Sequence, residues 1–61
     1  MSTVIRLLVV DDSLVVRNIL VDILNADPEI EVIGTGRNGL EGVEKARALK
    51  PDLILMDVDM P

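Results

Sequence analysis

Three apolar runs, separated by two stretches with helical periodicity, set the outline of this chain. Residues 4–10 are Leu-rich and β-branched, with Arg6 as the single polar interruption. That composition suits a central parallel strand covered on both faces. Ser13 is placed to cap a helix over residues 14–26. Its apolar stripe is Val16, Ile19, Leu20, Ile23 and Leu24, and Arg17, Asn18, Asp22 and Asn25 take the other side. Asp27-Pro28 stops the helix, because the residue before a proline is pushed out of the helical region.

Residues 30–35 predict a second strand, and the charges of Glu29 and Glu31 mark it as an edge. Gly34, Gly36 and Gly39 shape the next connection, and Asn38 with Glu41 three residues on predicts a capping box. Leu40, Val43, Ala46 and Leu49 then give one apolar stripe to a helix over residues 39–49, with Glu41 and Lys45 a favourable pair four apart. Lys50-Pro51 ends it, and Leu53 to Met56 form a third strand, apolar on both faces. The order is β-α-β-α-β. Right-handed crossovers of this kind give parallel strands, so the expected class is α/β.

Composition narrows the possibilities. A chain of 61 residues makes at most one small domain, and at this size only about 60% of the unfolded surface is buried. Cysteine and histidine are both absent, so neither a disulfide nor a structural zinc site can compensate. The net charge of −5 and the lack of any aromatic residue argue against direct nucleic-acid contact. Such contact needs positive charge for phosphates and rings for stacking. No apolar run approaches the ~20 residues of a membrane span, and Met1-Ser2-Thr3-Val4 lacks a basic leader. The expectation is a soluble, cytoplasmic, globular protein without membrane contact.

The chemistry lies where the strands stop. The first runs into Asp11-Asp12 and the third into Asp57-Val58-Asp59. Ligands of open α/β sheets bind beyond the carboxyl ends of the strands. If the two strands are neighbours, three or four carboxylates meet there and repel one another unless a hard cation neutralises them. Mg²⁺ suits such oxygen ligands, and a carboxylate can itself serve as nucleophile to form an aspartyl phosphate. Each acid taken singly reads as a turn residue or helix cap. The doublet together with a distant third acid does not.

These residues resemble a known family. Val9-Val10-Asp11-Asp12-Ser13, and Lys50-Pro51-Asp52-Leu53-Ile54-Leu55-Met56-Asp57-Val58-Asp59-Met60-Pro61, look like the receiver domain of bacterial two-component response regulators. Asp27 to Gly34 and Asn38 to Glu41 fit as well. Within the family the nearest likeness is the N-terminal receiver of the chemotaxis protein-glutamate methylesterases.

The resemblance implies a signalling phosphoacceptor rather than a turnover enzyme. Asp57 would take a phosphoryl group from a sensor histidine kinase. Mg²⁺ would be held by Asp11, Asp12, Asp57 and the backbone carbonyl of Asp59. Met60 and Pro61 would only shape the loop. It also implies a flavodoxin-like, doubly wound parallel sheet of order 2-1-3-4-5. Residues 1–61 then read as the first half of a receiver, β-α-β-α-β in order 2-1-3, with the second half absent. That half supplies a Ser or Thr hydroxyl and a Lys in the family. Lys45 and Lys50 cannot be assigned that role, so impaired phosphotransfer is expected. A third strand left open at the edge would favour a homodimer.

Two other readings compete. Gly34-Thr35-Gly36-Arg37-Asn38-Gly39 matches the dinucleotide fingerprint, with Asp57 near the position of the ribose-binding acid. It leaves Asp11-Asp12-Ser13 without a role and makes the charged segment 29–35 a central strand. Asp57-Val58-Asp59 also reads as the D-x-D of haloacid-dehalogenase-type phosphatases, but that motif normally lies on a first strand. A structural half-domain that assembles without transferring phosphate is the remaining alternative. Arg6 and Arg17 are read as solvated or paired rather than as phosphate ligands.

Overall fold

A computed structural model describes residues 3–57. The strands are β1 (Ile5–Asp11), β2 (Ile30–Gly36) and β3 (Leu53–Asp57), and the helices are α1 (Leu14–Asn25) and α2 (Gly39–Leu49). All three strands are parallel, and the sheet order is β2-β1-β3. This is the first half of a flavodoxin-like doubly wound sheet, as the resemblance implies, with the α/β element order that the sequence pattern predicts.

β1 is central because its run tolerates burial on both sides. Leu8 and Val9 are 0% exposed, and Leu7 and Val10 are buried beside them. Burying side chains of this size stabilises by about 1.5–3 kcal/mol each. Alternation along the strand divides the core. Leu8 and Val10 face α2, where they approach Gly34 and Gly42, so Leu7 and Val9 face the other way, toward α1.

β2 is an edge strand, as its glutamates suggest. It also carries a bulge: Leu7 pairs with Val32 but Leu8 pairs with Gly34, so Ile33 is the extra residue. The Val32 N–H is taken by Asn25 Oδ1 at 3.1 Å, which ties the end of α1 to the bulged strand.

Both helices begin as expected and turn differently. The Ser13 side chain accepts from the Val16 N–H at 3.3 Å. α1 closes one residue before the expected boundary, at Asn25, with Ala26 as its C-cap. The Asp27 carboxylate takes the Glu29 N–H at 2.9 Å in the following turn. The packed side of α1 is Arg17, Leu20, Val21 and Leu24, all half-buried. Of the expected stripe, Val16, Ile19 and Ile23 are exposed, Ile23 by 63%. The helix rests on β1 and β2, and among the described residues nothing covers its remaining flank.

In α2 the contact line runs through Gly42, Ala46 and Leu49 with the Lys45 stem. Leu40 (70% exposed) and Val43 stand in solvent, contrary to the expected stripe. The missing side chain of Gly42 lets the helix settle on Val10, where a Cβ would already touch the valine at 3.0 Å.

The N-terminal ends of the strands are fastened by Arg6. Its guanidinium donates to the Lys50 and Leu49 carbonyls, each at 2.8 Å, satisfying the end of α2. Its main chain exchanges two bonds with Asp52, N–H to carboxylate at 3.0 Å and carbonyl to N–H at 2.8 Å. Lys50 ends α2 in the left-handed conformation, φ 52°.

At the start of α2, Asn38 Oδ1 accepts from the Glu41 N–H at 2.8 Å. The reciprocal half of the capping box is displaced by one residue. Glu41 accepts from the Arg37 N–H at 3.2 Å and pairs with the Arg37 guanidinium at 2.7 Å. The expected Glu41–Lys45 pair does not form, because the Lys45 ammonium reaches the Thr35 carbonyl instead.

The Arg37 main-chain bond, with help from its guanidinium, holds the Glu41 carboxyl below the usual glutamate range. A depressed carboxylate contributes stability above its unfolded value and loses it as pH falls through the lower folded value. Thermal melts of the wild type and Glu41→Gln should therefore separate near neutrality and converge as the solution is acidified.

Candidate functional site

The three parallel strands deliver their carboxyl ends to one edge of the sheet. β1 ends on Asp11, and the last pair in its register with β3 is Asp11 opposite Asp57. Adjacent strands lie about 4.8 Å apart, so the backbone brings Asp11 and Asp57 side by side.

Asp11 is 4% exposed, the one buried charged residue among those described. Its Oδ1 accepts from the Ser13 N–H at 2.8 Å, an Asx turn that bends the chain from β1 into α1. Its main-chain carbonyl accepts from Arg17 Nη1 at 2.9 Å. Asp12, next along the turn, is exposed. The turn therefore presents one buried, tethered carboxylate and one open one at the same strand end.

The described residues end on the backbone of Asp57. Its side chain, and Val58, Asp59, Met60 and Pro61, lie outside them. So do the expected carbonyl ligand of Asp59 and the second acid of the D-x-D reading. Among the described residues no group of three acidic side chains converges on one point. The pair in the β1–α1 turn offers only carboxylate oxygens, a donor set that fits a hard divalent cation and no soft metal.

The glycine motif has a different use. In a dinucleotide fold, the strand before the glycines and the strand bearing the acid are neighbours. Here β1 lies between β2 and β3. Gly36 serves packing: a Cβ there would come within 3.2 Å of the Gly42 nitrogen, where main chain meets main chain. Arg37 is engaged with Glu41. The fingerprint reading is thus overturned by the strand order.

The model of the response regulator receiver domain matches residues 7–61. The chain belongs to this family. All 61 of its residues align at 57% identity with a protein-glutamate methylesterase/protein-glutamine glutaminase of Methanosarcina mazei, of which they cover 17%. A protein of the same description from Carboxydothermus hydrogenoformans is 60% identical over 57 residues, which is 93% of this chain and 16% of that protein. The crystal structure of the response regulator domain of Thermotoga maritima CheB superposes with a TM-score of 0.88 at 55% identity. That match covers 95% of this chain and 43% of the other. The chain therefore spans about one sixth of the curated relatives it matches (17% of the first). Its receivers of reference are those of chemotaxis methylesterases, and its class of function is two-component phosphorelay signalling.

The positions of Arg6 and Arg17 were not legible as assigned contacts. Each donates to main-chain carbonyls rather than to solvent or a carboxylate. The one available signal was spacing. An arginine four residues after an N-cap is one helical turn above it and can reach back to the strand end.

Glycine substitutions should separate the packing role from the loop. Gly36→Ala meets main chain and is expected to destabilise by about 1–3 kcal/mol. Gly39→Ala meets open space at the first turn of α2 and should gain about 0.5–1 kcal/mol. Urea unfolding of the two variants against the wild type measures both.

Proposed function

We propose that this chain is a receiver-type phosphoacceptor in which Asp57 is the covalent site and Asp11 and Asp12 bind Mg²⁺. The backbone carbonyl of Asp59 is the further ligand in this reading. The supporting observation is the Asp11–Asp57 register pair at the carboxyl edge of the sheet, with Asp12 exposed one residue on. Bound Mg²⁺ supplies charge neutralisation for an incoming phosphoryl group beside several carboxylates.

The residues divide the work. Asp11, fixed through Ser13, holds the turn and lends a buried negative charge. An Asp57 carboxylate oxygen attacks phosphorus, forming an O–P bond as the donor's P–N bond breaks. The electron pair leaves on the imidazole nitrogen of a phosphohistidine, and the donor is a sensor histidine kinase. With a small acyl phosphate the broken bond is P–O, and the pair leaves on the carboxylate. The Lys45 ammonium is engaged with the Thr35 carbonyl and Lys50 caps α2 through its main chain; neither substitutes for the family's later Lys.

The sheet edges favour one mode of assembly for the 61-residue chain. β2 is protected by Glu31 and its bulge. β3 has no bulge and no charge before its last residue, Asp57, and Leu53, Ile54, Leu55 and Met56 are all exposed, Leu53 by 56%. The occupant we propose for this edge is β3 of a second copy, paired about a two-fold axis.

Incubation with Mg²⁺ and acetyl phosphate should add one phosphoryl group by intact mass, and Asp57→Asn should remove that gain. An unmodified wild type would instead leave a structural half-domain that transfers nothing. Light scattering at micromolar concentration should give a dimer, reduced to monomer by Leu55→Lys. A wild-type monomer that melts cooperatively would exclude the pairing.

A further inference from the structure

Arg17 lies inside the acidic turn, not on the solvent side where its place among polar neighbours would put it. It is half-buried, and its Nη1 donates to the Asp11 carbonyl at 2.9 Å. That carbonyl sits where the sheet gives out. Among the described residues, β2 pairs with β1 as far as Val10 opposite Gly36, and β3 as far as Asp11 opposite Asp57. A carbonyl at a buried strand end needs a donor from elsewhere. Arg17 supplies one from the second turn of α1.

Asp11 is thereby gripped twice, by Ser13 at its carboxylate and by Arg17 at its main chain. The second grip fixes the peptide plane joining Asp11 to Asp12. Rotation of that plane would swing Asp12 away from the edge while leaving Asp11 in the core. A permanent cation beside the turn also offsets repulsion among the carboxylates when no metal is bound.

We infer that Arg17 is the positioning residue of the metal-binding turn, holding the Asp11–Asp12 peptide so that both carboxylates reach one cation. The inference rests on the Mg²⁺ reading above. Two effects oppose each other. The hydrogen bond preorganises the turn and favours metal, whereas the positive charge repels it. Outer partners that orient metal ligands are typically worth about 10–100-fold in affinity, so preorganisation is expected to win.

The test compares the wild type with Arg17→Met and Arg17→Lys in the 61-residue chain, reading amide exchange at Ser13 without metal and Mg²⁺ affinity from amide shifts. Leu24→Ala, which loosens the same helix at its far end, controls for general destabilisation. Arg17→Met should speed Ser13 exchange beyond the control and weaken Mg²⁺ binding about tenfold. Arg17→Lys, which keeps a charged donor, should restore much of both. Unchanged exchange in Arg17→Met, or tighter Mg²⁺ binding, overturns the positioning role. Failure of the wild type to bind Mg²⁺ would sink the metal reading instead, and the inference with it.

Discussion

Burial of β1 on both faces is the constraint from which the rest of this structure follows. Four consecutive residues, Leu7 to Val10, are withdrawn from water almost completely, and only a strand between two other strands and two helices can achieve that. The demand for neighbours on both sides recruits β2 and β3 and sends the two crossovers to opposite faces. It also fixes the register in which Asp11 lies beside Asp57. The acids at the strand end are placed by the apolar residues that precede them.

The same economy leaves apolar surface open elsewhere. α1 and α2 both rest mainly on β1 and β2, and β3 meets α2 at Met56 beside Gly42. A central strand packed to completion therefore coexists with a third strand of large side chains in solvent. Among the described residues the core is concentrated on one strand rather than spread over three.

Elements, their order and their capping residues were legible in the sequence because local rules decide them. Ser13, Asn38 and Asp27 act where their side chains can reach a nearby N–H. Which side of each helix packs was less legible. Periodicity weights the largest apolar residues, yet α2 approaches the sheet through Gly42, where nothing protrudes, and leaves Leu40 outside. Arg17 was read with its polar neighbours, whereas the open end of β1 turns it inward. Strand adjacency, which rules out the glycine fingerprint, is a long-range property that no local spacing records. The acids after β1 were legible as a pair. What they converge on depends on residues beyond the described backbone of β3.

The extra residue in β2 has a consequence for which side chains face α2. Because Ile33 is skipped in the pairing, Gly34 and Gly36, rather than Ile33 and Thr35, fall opposite Leu8 and Val10. That parity opens a smooth lane under α2, along which Leu49 and Gly42 come to rest. Ile33 thus works as a spacer that keeps count. Pairing Ile33 with Leu8 instead, without the skip, would turn Thr35 into the lane and lift the helix from its seat, although composition would not change.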